Sequence, residues 1–229
     1  MMKIDLHVHT SEISRCAHLT AEETIARYRN AGYDAIVITN HFNRSTAEYF
    51  ARQGIPDFTG CFFSAVRSAE EIGKKYGLTI FPGMEILFDG SGNDYLVYGM
   101  PESAVKDFDS VFRMGPAEFS KMAVSEKALL YQAHPFRQGM TIVNPEYLFG
   151  MEVMNGNPRH DSRNDIAVQW ARKFHLHQIG GSDCHRIEDI GSAGIITEQP
   201  VESIENLIQV LQDDAYKIFC SESAQPEIF

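Results

Sequence analysis

The 229-residue sequence predicts an α/β protein built on a parallel sheet, either open or closed into a barrel. Strand-like and helix-like segments alternate along the whole chain, the pattern of a parallel sheet with crossover helices. The polar residues suited to chemistry fall where the strand-like runs end, the edge at which such sheets carry their sites. No low-complexity stretch or linker breaks the alternation, so residues 1–229 read as one domain. An apolar content of 44% allows a sizeable core.

The first strand, Lys3–Val8, leads through His7 to His9. Residues two apart in a strand share a face, so these imidazoles converge. A helix follows over Thr20–Ala31, where Thr20 and Glu23 have capping-box spacing and Gly32 stops the helix. The second strand, Ala35–Thr39, delivers Asn40 and His41. The aromatic stretch 41–60 reads either as a loop over the site or as a packed insertion. After a helix at Phe62–Tyr76, closed by Gly77, the strand Leu78–Pro82 leads to Glu85. Tyr95–Tyr98 is a short strand, Pro116–Ser125 a helix, and Ala128–Gln132 a strand leading to His134-Pro135. Met151–Met154 leads to Asn155, and the helix Asp161–Phe174 follows, with Trp170 and residues 166–174 assigned to the core. His177–Ile179 leads to Asp183 and His185, and Ala193–Thr197 and the helix Val201–Gln212 complete the pattern. His175 and His177 precede their strand, which puts them at the opposite, stabilising end.

A formal net charge of −11 argues against gripping long nucleic acid through its phosphates. An acidic surface reads first as solubility, and local arginines or cations can still admit a small phosphorylated substrate. No apolar run reaches the roughly 18–20 residues of a membrane span. Asp5, His7 and His9 stand where a signal peptide would be apolar. Cys16, Cys61, Cys184 and Cys220 are scattered and read as reduced thiols. The expectation is a cytoplasmic protein with no membrane partner.

Two imidazoles converging beside carboxylates make a transition-metal site. The segments DLHVHT, ITNHF, GMEI, AHPFR, EVMNG and GGSDCH resemble, in order and over nearly the whole chain, the successive motifs of the PHP (polymerase and histidinol phosphatase) family. The resemblance implies a distorted (β/α)7 TIM-like barrel with its metal site at the C-terminal ends of the strands. It also implies two or three divalent metals (manganese, iron or zinc) and hydrolysis of phosphate esters by a metal-activated hydroxide. Carried over position by position, His7, His9, Glu85 and Asp183 hold the first metal. Glu85 bridges to a second, which also takes His134, and His41 and His185 belong to a third.

This chain departs from the family pattern twice. The second metal usually takes a further histidine near the end of the fourth strand, and none occurs between Ile86 and Gln132. Asp94 is the carboxylate substitute and Glu102 the reserve; loss of an imidazole favours manganese or iron over zinc. For the third site the stretch after the first doublet offers His18, Glu12 and Cys16, none of which aligns cleanly. A dinuclear centre is the alternative.

The residues assigned to catalysis are Glu85, Asp183, His185 and Arg137. Phosphate binding falls first to Arg137, three residues after His134, then to Arg159, Arg163, Asn155 and Arg186. Arg15 and Arg44 also flank the first two histidine motifs, and His160 follows Asn155 in the next loop. Taken singly, His7 and His9 could be a solvent-facing strand edge, Glu85 a rim carboxylate and Cys184 a packing residue; only the combination makes a site. The leading function is a phosphomonoesterase acting on a small phosphorylated metabolite. One alternative is a phosphodiesterase or exonuclease on short oligonucleotides, with Phe42, Tyr49, Phe50, Phe58, Phe62 and Phe63 as a base-stacking platform. The other is a non-catalytic regulatory protein that binds metal or nucleotide.

Overall fold

The computed structural model describes residues 1–221. Its strands are β1 (Met2–Val8), β2 (Ala35–Ile38), β3 (His41–Asn43), β4 (Thr79–Leu87), β5 (Asp94–Tyr98), β6 (Leu129–Gln132), β7 (Gly150–Asn155), β8 (His177–Gly181), β9 (Ala193–Thr197) and β10 (Tyr216–Cys220). Its helices are α1 (Ala21–Asn30), α2 (Arg44–Arg52), α3 (Phe58–Tyr76), α4 (Phe108–Arg113), α5 (Pro116–Ser125), α6 (Asn164–Lys173) and α7 (Ile204–Gln212).

The sequence β1-β2-β4-β5-β6-β7-β8 makes the wall of a distorted (β/α)7 TIM-like barrel, with β9 and β10 added beyond β1. Closure happens at one rim. Cys184 donates its backbone N–H to the His7 carbonyl at 3.1 Å, and His9 donates to the Cys184 carbonyl at 3.0 Å. A Cβ on Gly181 would lie 2.5 Å from the His7 Cβ, so the seam needs glycine at this position. The seam therefore brings the first and last histidine doublets together.

The sheet is mixed, not parallel. β5 runs antiparallel to both β4 and β6, and β9 runs antiparallel to β1 and β10. Only residues 88–93 separate β4 from β5, too few for the crossover of a dozen or more residues that a parallel neighbour requires. The reversal matters for the site, because the start of β5, Asp94, now lies on the rim where the parallel strands end.

The aromatic stretch is a packed insertion. It forms β3, α2 and the first turn of α3, and its rings build a core of their own. Phe42, Phe58 and Phe62 are fully buried. The Phe42 ring centroid lies 5.2 Å from those of Phe58 and Phe62 and 5.3 Å from that of Phe112. Phe42, Phe58 and Phe62 thereby drop out of the expected base-stacking platform, since rings packed on each other present no face to a nucleotide.

Helix α1 starts as expected: the Thr20 side chain accepts from the Glu23 N–H at 3.3 Å while the Thr20 N–H donates to Glu23 Oε2 at 3.0 Å. Helix α6 is shorter than its pattern suggests and buries only Ala167 and Ala171. Trp170 is half-buried and Ile166 and Phe174 are exposed, so the helix is less of a core element than its apolar residues imply. His177 stacks on Phe149 at 4.1 Å and pairs with Asp214 at 2.9 Å, far from the histidine rim. Among the described residues no helix is long and apolar enough to cross a membrane.

Candidate metal centre

Glu85 is the hub of the rim. It sits inside β4, which continues to Leu87, and β3 pairs His41 directly with it. Its Oε1 lies 3.3 Å from His7 Nε2 and 3.1 Å from His134 Nε2. Its Oε2 lies 3.4 Å from His9 Nε2 and 3.0 Å from His41 Nε2. The two oxygens of one carboxylate thus face different sets of imidazoles, the arrangement of a bridging ligand. Asp183 completes the enclosure, its Oδ1 3.5 Å from His7 Nε2 and 3.6 Å from His9 Nε2.

Three groups each bring one ligand atom per residue within 4.8 Å of the others: His7, His9 and Glu85; Glu85, Asp94 and His134; His9, His41 and His185. Asp94 lies 4.0 Å from His134 Nε2. Burial, together with the nearby Glu85 charge, pushes its pKa up to about 6. Glu102, the reserve candidate, is spent on Arg67 at 2.8 Å and is not at the site.

The geometry of Asp183 and His185 does not come from strand alternation, as their spacing suggests. Strand β8 ends at Gly181, and Asp183 has φ 52°, in the left-handed region. His134 is also at positive φ, 27°. Such conformations cost free energy and persist where surrounding contacts fix them, commonly at functional sites. Cys184 does point away, buried and donating to the Arg186 carbonyl at 3.6 Å.

A second layer of hydrogen bonds sets which ring nitrogens face the rim. Glu152, fully buried on β7, accepts from His7 Nδ1 at 2.9 Å, which leaves Nε2 to face Glu85 and Asp183. Ser14 Oγ accepts from His9 Nδ1 at 3.1 Å and from the His41 N–H at 2.9 Å, and donates to Asn40 Oδ1 at 2.9 Å. His185 Nδ1 donates to the Asp183 carbonyl at 3.0 Å. His7 Nε2 and His9 Nε2 are buried with no hydrogen-bond partner. Buried polar atoms are rarely left so, and cation-facing nitrogens account for these two. The donor set fits divalent cations.

The electrostatics agree. Burial opposes protonation of His7, yet Glu152, Asp183 and Glu85 together hold its pKa well above the usual imidazole value. Burial likewise resists in His185, and Asp183 and Cys16 overcome it, raising the pKa to about 10. His9 goes the other way, held well below the usual value by burial and by the His185 charge. Burial should raise the Asp183 and Glu85 carboxyls, but His7 and the other imidazoles hold both well below their usual range. The ionised Glu85 and Asp183 carboxylates thus hold protons on His7 and His185, positions at which a cation can take the proton's place.

The predicted phosphate contacts divide. Arg137 lines the cleft, its Nη2 donating to Asp183 Oδ2 at 2.6 Å and to Asn155 Oδ1 at 2.9 Å. Arg159 and Arg186 also line it, with His160, and Arg159 pairs with the buried Asp189. Arg163 does not reach the cleft. It is exposed, at φ 48°, and precedes α6. Asn155 is not a rim residue either: its Oδ1 is taken by Arg137 and its Nδ2 donates to Glu152 at 3.0 Å and Asp183 at 3.4 Å, so it braces the ligands. Arg44 is held by Asp89 and Asp109, and Arg15 lies over the Tyr49 ring. His18 is exposed and outside the cleft lining, whereas Glu12 accepts from the Ala21 N–H at 2.9 Å. Of the three candidates near the first doublet, only Cys16 faces the cleft, 3.7 Å from His41 Nδ1. Burial opposes ionisation of its thiol, but hydrogen bonds with His185 and His41 bring the pKa down to about 6.

Glu152, Ser14 and Asp189 are supporting residues that motif reading passed over. Glu152 did leave a signal, a carboxylate inside the apolar run Met151–Met154. A larger recess of about 560 Å³ lies elsewhere, beside Thr79, Pro82 and Glu202 at the start of β4, and none of the metal-ligand groups found among the described residues is there.

Residues 161–215 match a family model described as PHP-associated. No curated protein matches the sequence. Among solved structures, a two-domain protein of Bacteroides vulgatus containing a predicted PHP-like metal-dependent phosphoesterase is similar at 19% identity and TM-score 0.66, over 96% of this chain and 64% of that one. PsfC from Pseudomonas syringae is similar at 17% identity and TM-score 0.61, over 97% of this chain and 93% of its own. The lesion-specific endonuclease EndoQ of Pyrococcus furiosus is similar at 12% identity and TM-score 0.57, over 95% of this chain and 57% of its own. This chain therefore spans less than two thirds of the first and third of these proteins. The matched segment and the shared fold both support the resemblance to PHP proteins carried by the motifs.

Proposed function

We propose that this chain is a PHP-type metal-dependent phosphoesterase that hydrolyses a small phosphate monoester. One observation carries the reading: Glu85 turns its two oxygens toward separate imidazole sets while His7 Nε2 and His9 Nε2 are buried without partners. In this reading His7, His9, Glu85 and Asp183 hold one cation, Glu85, Asp94 and His134 a second, and His41 and His185 a third. Divalent cations held there would supply Lewis acidity toward phosphoryl oxygens and a water of lowered pKa.

The chain's own residues supply the rest. Arg137, fixed by Asp183 and Asn155, keeps a guanidinium at the mouth of the metal cluster, where it meets negative charge on a phosphoryl group. Arg159, His160 and Arg186 extend the cationic wall. The cleft measures about 290 Å³, at the lower end of small-molecule sites. That volume favours a phosphoryl group with a compact leaving group over an oligonucleotide, and the burial of Phe42, Phe58 and Phe62 takes three of the six candidate stacking rings away from a diester substrate.

The test compares p-nitrophenyl phosphate, bis-p-nitrophenyl phosphate and a dinucleotide on metal-loaded protein, with His9→Ala and Asp183→Ala as controls. Monoester turnover that both substitutions abolish is the expected result. Turnover confined to the diesters would move the assignment to a phosphodiesterase. Loaded protein inert toward all three would support a binding role instead.

A further inference from the structure

The geometry points to Cys16 as a thiolate ligand of the third cation, completing with His41 and His185 a sulfur-bearing position that prefers zinc or another thiophilic ion. The inference rests on the metal-centre reading above and concerns the one position for which the motifs supplied no matching residue.

The tautomers are what assign the ligand. Glu85 Oε2, an acceptor, takes the proton of His41 Nε2 at 3.0 Å. The lone pair of that ring is then on Nδ1, the nitrogen 3.7 Å from Cys16 Sγ. The proton of His185 Nδ1 goes to the Asp183 carbonyl at 3.0 Å, so Nε2 is the nitrogen left for Cys16, with which His185 also hydrogen-bonds. The Cys16 thiol thus lies against both imidazoles, and all three line the cleft. In a tetrahedral zinc site, metal–sulfur and metal–nitrogen lengths of about 2.3 and 2.0–2.1 Å set sulfur and nitrogen roughly 3.5 Å apart, close to the separation found here. The position adjoins the first one: His9, whose Nε2 faces Glu85 and Asp183, brings a nitrogen within 4.8 Å of those of His41 and His185. On binding, the protons shared among Cys16, His41 and His185 pass to solvent, and sulfur–metal and nitrogen–metal bonds replace the sulfur–hydrogen and nitrogen–hydrogen bonds.

A mixed centre follows. The position around Asp94 offers two carboxylates and one imidazole and suits manganese or iron, while a thiolate with imidazoles suits zinc or cobalt. The test is cobalt(II) added to metal-depleted full-length protein. A sulfur-to-cobalt charge-transfer band should appear in the near-ultraviolet, persist in Cys184→Ser and vanish in Cys16→Ser. Zinc bound at saturation should fall by one ion per chain in Cys16→Ser, or its affinity at that position should fall about 10–100-fold. Cys16→Asp keeps a ligand and should restore the ion without the band. Bound cobalt with visible ligand-field bands but no sulfur band in the wild type would overturn the Cys16 assignment and leave the metal centre standing, as would a band surviving in Cys16→Ser. Failure to bind cobalt or zinc at all would overturn both.

Discussion

Glu152 bridges two ligands of the cluster from behind: its Oε1 accepts from His7 Nδ1 and its Oε2 accepts from the His134 backbone N–H, each at 2.9 Å. Asn155 Nδ2 donates to the same Oε2 at 3.0 Å. One buried carboxylate therefore orients His7 and holds the turn after β6 that carries His134 at positive φ.

Both Glu152 oxygens act as acceptors, so Glu152→Gln cannot satisfy the site. Its amide must either meet the His134 and Asn155 donors or face His7 Nδ1 and drive the His7 proton onto Nε2, where a cation should sit. Metal affinity should fall about 10–100-fold, as for other residues that orient ligands. Competition with a chromophoric chelator measures it. Wild-type affinity in this variant would mean that the His7 tautomer is fixed by something other than Glu152.

Metal release should follow pH with a definite sign. The His185 pKa is raised from 6.5 to about 10 in the cation-free protein, so its protonation stabilises the fold below about 6.5, and this contribution is lost as pH rises toward 10. Cations compete for the same imidazoles and need them neutral. The rise in melting temperature on adding saturating metal should therefore grow between about pH 6 and pH 8. Scanning calorimetry with and without a chelator gives the difference. A gain that is flat or shrinks with rising pH would mean that these imidazoles are not metal ligands.

Phe58 tests the aromatic insertion. It is fully buried, with ring centroids 5.2 Å from Phe42 and 5.8 Å from Phe108. Phe58→Ala should cost about 3–5 kcal/mol of stability, the range for deleting a buried ring. At a temperature where the variant is folded, its preference between monoester and diester substrates should stay as in the wild type. A selective loss of diester binding with unchanged stability would return these rings to a substrate role.

Much of this architecture was legible in the sequence because the histidine and carboxylate motifs fall at strand ends, and strand ends are marked by apolar runs. His7, Glu85, His134 and Asp183 meet on one rim for that reason. What stayed hidden depended on contacts between distant segments. The direction of β5 is set by a short connection, and no local pattern distinguishes a parallel from an antiparallel strand of five residues. Cys16 and His18 are two residues apart in a loop whose path is fixed by a hydrogen bond from the His18 N–H to the His185 carbonyl at 2.8 Å, across the barrel seam. Periodicity carries no information about which of the two turns inward. The cationic residues were overassigned because proximity in sequence to a ligand says nothing about direction: Arg137 reaches the cleft, and Arg163, at a left-handed position before α6, does not.

Asp94 is where the first departure of this chain, the missing fourth-strand histidine, becomes a measurable property. It approaches His134 Nε2 only to 4.0 Å and shares the position with Glu85, so the second cation meets two carboxylates and a single imidazole. Oxygen-rich donor sets favour manganese and iron, and imidazole shifts preference toward zinc. Burial and the Glu85 charge push the Asp94 pKa up to about 6, so a cation held between the two carboxylates would favour their joint ionisation and extend it to lower pH. Asp94→His removes that repulsion and adds a nitrogen donor. It should weaken manganese at this position and strengthen zinc, so that the ratio of zinc to manganese affinity rises by about tenfold or more. Paramagnetic resonance of bound manganese together with elemental analysis after competitive loading reads the ratio. An unchanged ratio would take Asp94 out of the ligand set and leave His134 and Glu85 to hold the second cation without it.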